Sequence, residues 1–489
     1  MENLFLENVY SDSGVPEYTF VEPAEYVKTK VALRSKGRGV VVEGPSGIGK
    51  TTCIKKVMEE NKTNATFLSA RIPKDIEYIE LVLCSPKNNG IVIIDDFHLL
   101  PDEIKQGFSD LLKVLADENS DDTKLVLIGI NKAGESLVQL APDLNNRIDT
   151  IRFEANPKEK LVELVSKGEK ALNISFKYKN ELAEISYGSF HIIQMLCKTL
   201  CIMNNITETQ KNFQIIETSP KDSVMQKMQE LGRVFDSTIK EFAVGNRNRR
   251  GGLAPYLHLL EWLAESTNGA IQMNDVYILH PKYKASISQI ADKGYITRLI
   301  HNNQKISKVL FYDKASKILA IEDPKFLFYI KNVDWQNFEK EMGFNVLTQV
   351  QYDFAVSFSG EKRTYVEMLV NRLQANEVSV FYDKDAAADI LGKDLEEYFK
   401  PIYATEAKYV LAMIDSHYPK KVWTVFESQQ YKDRFGEDSV IPILFEDFTP
   451  SPIDTLYNRG YERIDTTKDV EAQIEYIVSI LVEKLENIR

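Results

Sequence analysis

Cysteine is scarce in this chain: four residues, Cys53, Cys84, Cys197 and Cys201, in 489. That is too few for a disulfide framework at this length. Long apolar runs are missing as well. Stretches such as Ile91–Ile94 and Leu125–Ile130 fall far short of the ~20 residues that cross a bilayer as a helix. The first residues, MENLFLENVYSDSG, lack the basic and apolar regions of a secretory leader. Positive charge is in deficit, 60 Lys+Arg against 72 Asp+Glu for a net of −12, which argues against a simple polyanion binder. No internal repeat or low-complexity tract is visible. These absences predict a soluble, cytoplasmic chain with no membrane partner.

What is present points to several domains. Hydrophobic residues make up 44% and charged residues 27%, an ordinary globular balance. A single core rarely grows past about 250 residues, so two to four domains are expected. The charge is uneven. Residues 346–489 hold 26 Asp+Glu and 16 Lys+Arg, a net of −10, whereas residues 251–340 carry a net of +2. Apolar runs at 39–45, 91–96 and 125–130 read as buried strands, with helical periodicity between them, as in EIKQGFSDLLKVLAD. Unbroken apolar strands alternating with helices imply a parallel sheet covered on both faces. After Phe153 the pattern turns helical, and GNRNRRGG at 245–252 reads as a linker. Helices closed by the strand pair KVLFYDKASKILAIED follow, and strand–helix alternation returns from Tyr352.

Two constellations carry chemistry. In the first, Gly44-Pro-Ser46-Gly47-Ile48-Gly49-Lys50-Thr51 fits G-x-x-x-x-G-K-S/T, between a strand and a helix, with Thr52 next. Such a loop turns backbone N–H groups onto phosphates, its Lys reaches the outer phosphates, and its hydroxyl holds Mg²⁺. A second apolar strand ends in Asp95 and Asp96, at the sheet edge where ligands bind. Asp95 is the expected Mg²⁺-side carboxylate. Asp96 stands where a residue polarising the attacking water belongs, and is one methylene shorter than Glu. In the second, Trp423 and Glu427 lie four apart and so share a helix face. An indole beside a carboxylate suits a cationic aromatic ring on a ribose, as in NAD⁺. A fixed carboxylate stabilises the ribose cation formed when that bond breaks. His98 reads as structural, and Cys197 and Cys201 as buried small hydrophobes.

These motifs resemble known families. Residues 20–207 look like an AAA+ ATPase of the origin-recognition and transposon-associated type, or the related STAND ATPases. That resemblance makes Asp95-Asp96-Phe-His98 the Walker B motif and Asn131 the sensor-1 residue. It makes Arg147 a finger onto a neighbour's γ-phosphate, and places Gly188-Ser-Phe-His191 in the lid helix. Residues 251–345 resemble a winged helix. Residues 346–489 resemble a TIR domain, through YDFAVSFSGE, Phe381-Tyr382-Asp383, Leu391-Gly392, and Ser416 and Tyr418 ahead of Trp423 and Glu427. By that resemblance Glu427 is the catalytic residue of NAD⁺ cleavage, and Phe358, Ser359, Asp383 and Trp423 line the substrate site.

The expected architecture is α/β multidomain. It comprises a P-loop nucleotide-binding domain (1–155), a helical lid and linker (156–250), a winged-helix-like domain (251–345) and a flavodoxin-like TIR domain (346–489). The expected cofactors are ATP or ADP and Mg²⁺, with NAD⁺ as substrate. The implied function is an ATP-controlled, self-associating switch that destroys NAD⁺, as in prokaryotic antiphage effectors, with a phage or cellular trigger the sequence does not name. Two competing readings are a non-catalytic TIR adaptor and a DNA-loading ATPase. The weak charge of 251–340, even with Arg247, Arg249 and Arg250 before it, favours a structural or regulatory winged helix over sequence-specific DNA binding.

Overall fold

The computed structural model describes residues 3–11, 14–120, 122–130, 147–246, 254–342, 351–383, 385, 392, 398–399, 401–418, 439–449 and 460–486. They form two compact units, Met1–Thr238 with Trp262–Ile271 and Gln304–Val333, and Ile239–Glu261 with Gln272–Asn303 and Asp334–Arg489. The stretch 251–345, expected as one domain, contributes segments to both units.

The first unit is built on five parallel strands, β1 (Gly39–Glu43), β2 (Ala65–Ser69), β3 (Gly90–Asp95), β4 (Thr123–Gly129) and β5 (Ile148–Arg152), ordered β2-β3-β4-β1-β5. Both faces are covered, as the apolar runs require. Val40 and Val42 of β1 join a core with Ile54 and Val57 of helix Lys50–Glu60. Val41 points the other way, into a core with Phe108 and Leu112 of helix Asp102–Asp117. The phosphate loop, Asp95 and Asp96 therefore emerge together at the C-terminal edge of the sheet, beside the β4 end.

Residues 156–250, expected as a helical lid and linker, include helices Lys158–Leu172, Lys179–Glu184 and Phe190–Met203, with a short parallel pair β6 (Ile174–Phe176) and β7 (Gln214–Ile216). A further small sheet, ordered β8-β10-β9, comprises β8 (Ala270–Gln272), β9 (Leu310–Asp313) and β10 (Ile318–Ile321). The last two form the expected antiparallel hairpin, with Leu319 opposite Tyr312.

In the second unit β11 (Tyr352–Phe358), β12 (Val380–Phe381), β13 (Ala407–Ile414), β14 (Val440–Phe445) and β15 (Glu462–Ile464) form a parallel sheet, ordered β12-β11-β13-β14-β15. This is the doubly wound order expected of a flavodoxin-like fold. Helices Arg363–Ala375 and Val470–Glu486 cover one face through Val366, Leu369, Ile477 and Leu481.

Candidate functional sites

The phosphate loop follows β1 and turns through positions that suit a residue without Cβ. Gly47 and Gly49 have φ of +74° and +109°, left-handed values that penalise other side chains. Gly49 caps helix Lys50–Glu60, so the loop meets the positive end of an eleven-residue helix. Ser46, Gly47, Gly49, Lys50, Thr51, Thr52, Asp95 and Asp96 line one cavity of about 390 Å³. The carbonyls of Gly44 and Pro45 each accept from Lys50 Nζ at 2.8 Å. Ile48 turns its side chain into the sheet core and contributes only backbone. Burial draws the Lys50 ammonium down to about 8, despite Asp95 and Asp96 nearby. A buried cation short of full compensation fits a polyphosphate.

Thr51 donates to Asp95 Oδ2 at 2.8 Å. Burial, and then the neighbouring Asp96, raise the Asp95 carboxyl. A hydroxyl and a carboxylate so paired, facing the phosphate loop, suit a hard divalent cation such as Mg²⁺. Asp96 adopts a left-handed backbone, φ 57°, the kind of strain that gathers at functional positions. Its carboxylate accepts from Arg71 Nε at 2.8 Å. Among the cavity residues that sequence reasoning missed are the N-terminal run Thr19–Val21, Gln194 of helix Phe190–Met203, Arg71 just beyond β2, and Glu322 just beyond β10. Thr19 Oγ1 donates to Gln194 Oε1 at 3.2 Å, fastening the N-terminal run to helix Phe190–Met203. His191 lines the cavity too, and its backbone N–H donates to Gly47 O at 3.3 Å. Ser189 Oγ donates to the same carbonyl at 3.1 Å.

His98, expected as a structural residue, lies beside the cavity's Glu322. It is buried, its Nε2 lies 2.6 Å from Glu322 Oε1, and Ile130 N–H approaches its Nδ1 at 3.5 Å. Burial, then Arg71, hold the imidazole well below its usual pKa. A neutral ring with Nδ1 accepting must carry its proton on Nε2 and donate it to Glu322. Arg147 pairs with Asp117 at 3.0 Å and is not among the residues lining the cavity. Asn131 lies outside the described residues.

The second site gathers at the ends of β11 and β12. The Phe358 and Tyr382 rings stack with centroids 5.8 Å apart and an interplanar angle of 30°. The Arg363 guanidinium lies 4.8 Å from the Phe358 centroid. It grips Asp383 through two bonds of 3.0 and 2.9 Å, and donates to Tyr382 Oη at 3.0 Å. Burial pushes the Tyr382 phenol up to about 12, against the pull of Arg363. Ser359 faces elsewhere: its hydroxyl donates to the fully buried Asp415 at 2.6 Å. Asp415 also accepts from the N–H groups of His417 and Tyr418, and Tyr418 Oη sits 2.9 Å from Ser357 Oγ. Of the four residues expected around the substrate, Phe358 and Asp383 are therefore brought together through Arg363, which sequence reasoning missed. Trp423, Glu427, Leu391 and the Arg247–Arg250 cluster lie outside the described residues.

Comparison with known proteins divides along the same lines. Residues 40–155 match the family model for ATPases associated with various cellular activities, and residues 354–478 match a TIR domain model. A curated relative, the 3′ cyclic ADP-D-ribose synthase AaTIR of Aquimarina amphilecti, is 40% identical over 100 residues. That match covers 20% of this chain and 31% of the relative, so the chain spans about a third of the relative's length. Solved structures similar to this chain include the RuvB Holliday junction branch migration motor of Thermotoga maritima, 16% identical with a TM-score of 0.35. That similarity covers 65% of this chain and all of that one. The ORC2 protein of Aeropyrum pernix is 14% identical with a TM-score of 0.37, over 69% of this chain and all of that one. With the phosphate loop in the first unit and the doubly wound sheet in the second, the chain carries an AAA-family ATPase domain and, C-terminal to it, a TIR domain.

Proposed function

We propose that the chain is an ATP-controlled, self-associating switch whose TIR domain cleaves NAD⁺, releasing nicotinamide and linear or cyclised ADP-ribose. The observation that carries this reading is the 40% identity to a cyclic ADP-ribose synthase within the TIR segment. Phe358, Tyr382 and Arg363 supply an aromatic and cationic wall at the strand ends, suited to a flat base and a diphosphate. Glu427 would stabilise the ribose cation as the glycosidic bond breaks. Neutral nicotinamide departs without a general acid.

Lys50 and the loop backbone would bind the nucleotide, and Thr51 and Asp95 would hold Mg²⁺, which would neutralise phosphate charge there. Arg147, outside the chain's own cavity, fits a finger offered to a neighbouring copy, and would make assembly depend on bound ATP. The hairpin β9–β10 and the helices before it fit a winged-helix arm that regulates the ATPase. No helix among the described residues is long and apolar enough to cross a membrane. We read the combination as a cytoplasmic protein that depletes NAD⁺ on infection.

The test is NAD⁺ turnover with product identification for the full chain and for Glu427→Ala, with and without ATP and Mg²⁺. Turnover that needs both Glu427 and ATP is the expected result. An inert wild type, or a Glu427→Ala variant as active as wild type, would overturn it in favour of an adaptor.

A further inference from the structure

The nucleotide cavity contains a carboxylate that belongs to no nucleotide motif. Glu322 follows β10, and its side chain is 1% exposed. One oxygen accepts from Arg71, and the other accepts from the neutral His98 at 2.6 Å. Arg71 is the one guanidinium or ammonium among the described residues that ion-pairs with Glu322, beside the His98 imidazole. Arg71 is half-exposed toward the cavity and also holds Asp96 through Nε at 2.8 Å.

The segment carrying Glu322 rests on the nucleotide site at three further points. A Cβ placed on Gly47 would come within 2.7 Å of Pro324 Cβ, so this corner lies directly against the phosphate loop. The Phe311 ring of the same hairpin meets His98 edge-on at 4.9 Å. Ile318 and Ala320 share a small core with Ile130, just past the end of β4.

The geometry points to Arg71 as a reader of the nucleotide's terminal phosphate, with Glu322 as the protein's own stand-in for that phosphate. This rests on the reading of the first unit as an ATP-controlled switch. A guanidinium beside Asp96 at the rim of a phosphate cavity prefers a γ-phosphate, which offers bidentate acceptors and more charge than a carboxylate. Arg71 cannot serve both anions fully. When it turns to the phosphate, Glu322 is left buried without its cation, a state that strongly disfavours the present packing. The corner Glu322–Pro324 then has reason to leave the phosphate loop, taking the β9–β10 hairpin with it. A diphosphate reaches less far, so Arg71 stays on Glu322. The coupling works in both directions, because whatever frees the hairpin also frees Arg71 for ATP.

The experiment measures ATP and ADP affinity, each with Mg²⁺, for the full chain and for Glu322→Gln, Arg71→Ala and the double variant. Glu322→Gln keeps the shape and an acceptor for His98 but removes the competing charge. It should tighten ATP by about tenfold relative to ADP. Arg71→Ala should lose most of the preference for ATP, and in that background Glu322→Gln should have no effect on the ratio. Amide exchange across residues 318–331 should rise with ATP and not with ADP. Equal effects of Glu322→Gln on both nucleotides, or a gain that survives loss of Arg71, would overturn the inference while leaving the nucleotide site intact. A wild type that binds neither nucleotide would overturn the switch reading as well.

Discussion

Each of the two sites clamps an aspartate with an arginine, and the clamps differ in kind. In the ATPase unit Arg71 holds Asp96 through one nitrogen and gives another to Glu322. In the TIR unit Arg363 grips Asp383 with both arms of its fork and lies over Phe358. Planar bidentate pairing against an aromatic face fixes a guanidinium in one place. A guanidinium divided between two carboxylates can change partners. The first clamp is thus open to an exchange of partners, whereas the second holds its guanidinium in one place. The surroundings agree: the phosphate loop is shaped by backbone and glycines, whereas the Phe358–Tyr382–Arg363 wall is entirely side chain.

The severest break in that comparison should come from Lys50→Ala. If backbone shapes the first site and one buried cation charges it, removing the cation should spare the fold and abolish most phosphate affinity. Hydrogen bonds to charged groups contribute about 1.5–3 kcal/mol, so ATP and ADP should both weaken roughly 10- to 100-fold. Calorimetric titration reads this directly. Near-wild-type affinity would mean that the loop does not hold phosphates.

An intermediate effect is expected from Arg363→Lys. A lysine keeps the charge but loses the fork and the flat face. Asp383 then keeps one bond at most, and the stack on Phe358 loosens. Both partners are partly exposed, so the stability cost should be only about 1 kcal/mol. NAD⁺ turnover should suffer more, about tenfold, because placement errors at a reacting centre are amplified. Turnover equal to wild type would show that the clamp is mere surface pairing.

The two sites were not equally legible in the sequence. The strands β1, β3 and β4 sit inside the first sheet and read as unbroken apolar runs. The flanking strands β2 and β5 did not, because edge positions leave Phe67 exposed and admit Asp149 and Arg152. The same holds for β15, three residues of which two are charged. The phosphate loop was legible because its chemistry is contiguous. Arg71 and Glu322 stand 251 positions apart, and neither belongs to a spacing that signals a pair. Arg363 was hidden in another way. It opens a helix after FSGEK, where a basic residue reads as solvated surface, and only the fold brings it under Asp383. Contacts between elements remote in sequence, not local propensity, account for what the sequence withheld.

The smallest expected effect concerns the rigidity of the TIR sheet's far edge, just past β14. Burial acts to raise the Glu446 carboxyl, but bonds from Thr466, from backbone and from Lys362 outweigh it and hold the group at about 2. Thr466 Oγ1 supplies the shortest of these, 2.6 Å. A carboxylate depressed in the folded state stabilises the fold above its unfolded pKa, and that stabilisation fades as pH falls. The window here runs from about 4.5 down to about 2. Thr466→Val removes the hydroxyl bond, so at pH 7 it should cost less than about 1 kcal/mol for so partly exposed a group. Amide exchange in β14 and β15, compared between the variant and wild type at pH 7 and below pH 2, where the folded-state carboxyl is protonated, separates this from a packing defect. If the bond to the ionised carboxylate matters, the difference between the two proteins shrinks as Glu446 takes up its proton. A penalty of the same size at both pH values would assign the effect to the lost shape of the threonine, and the far edge would then owe nothing to charge.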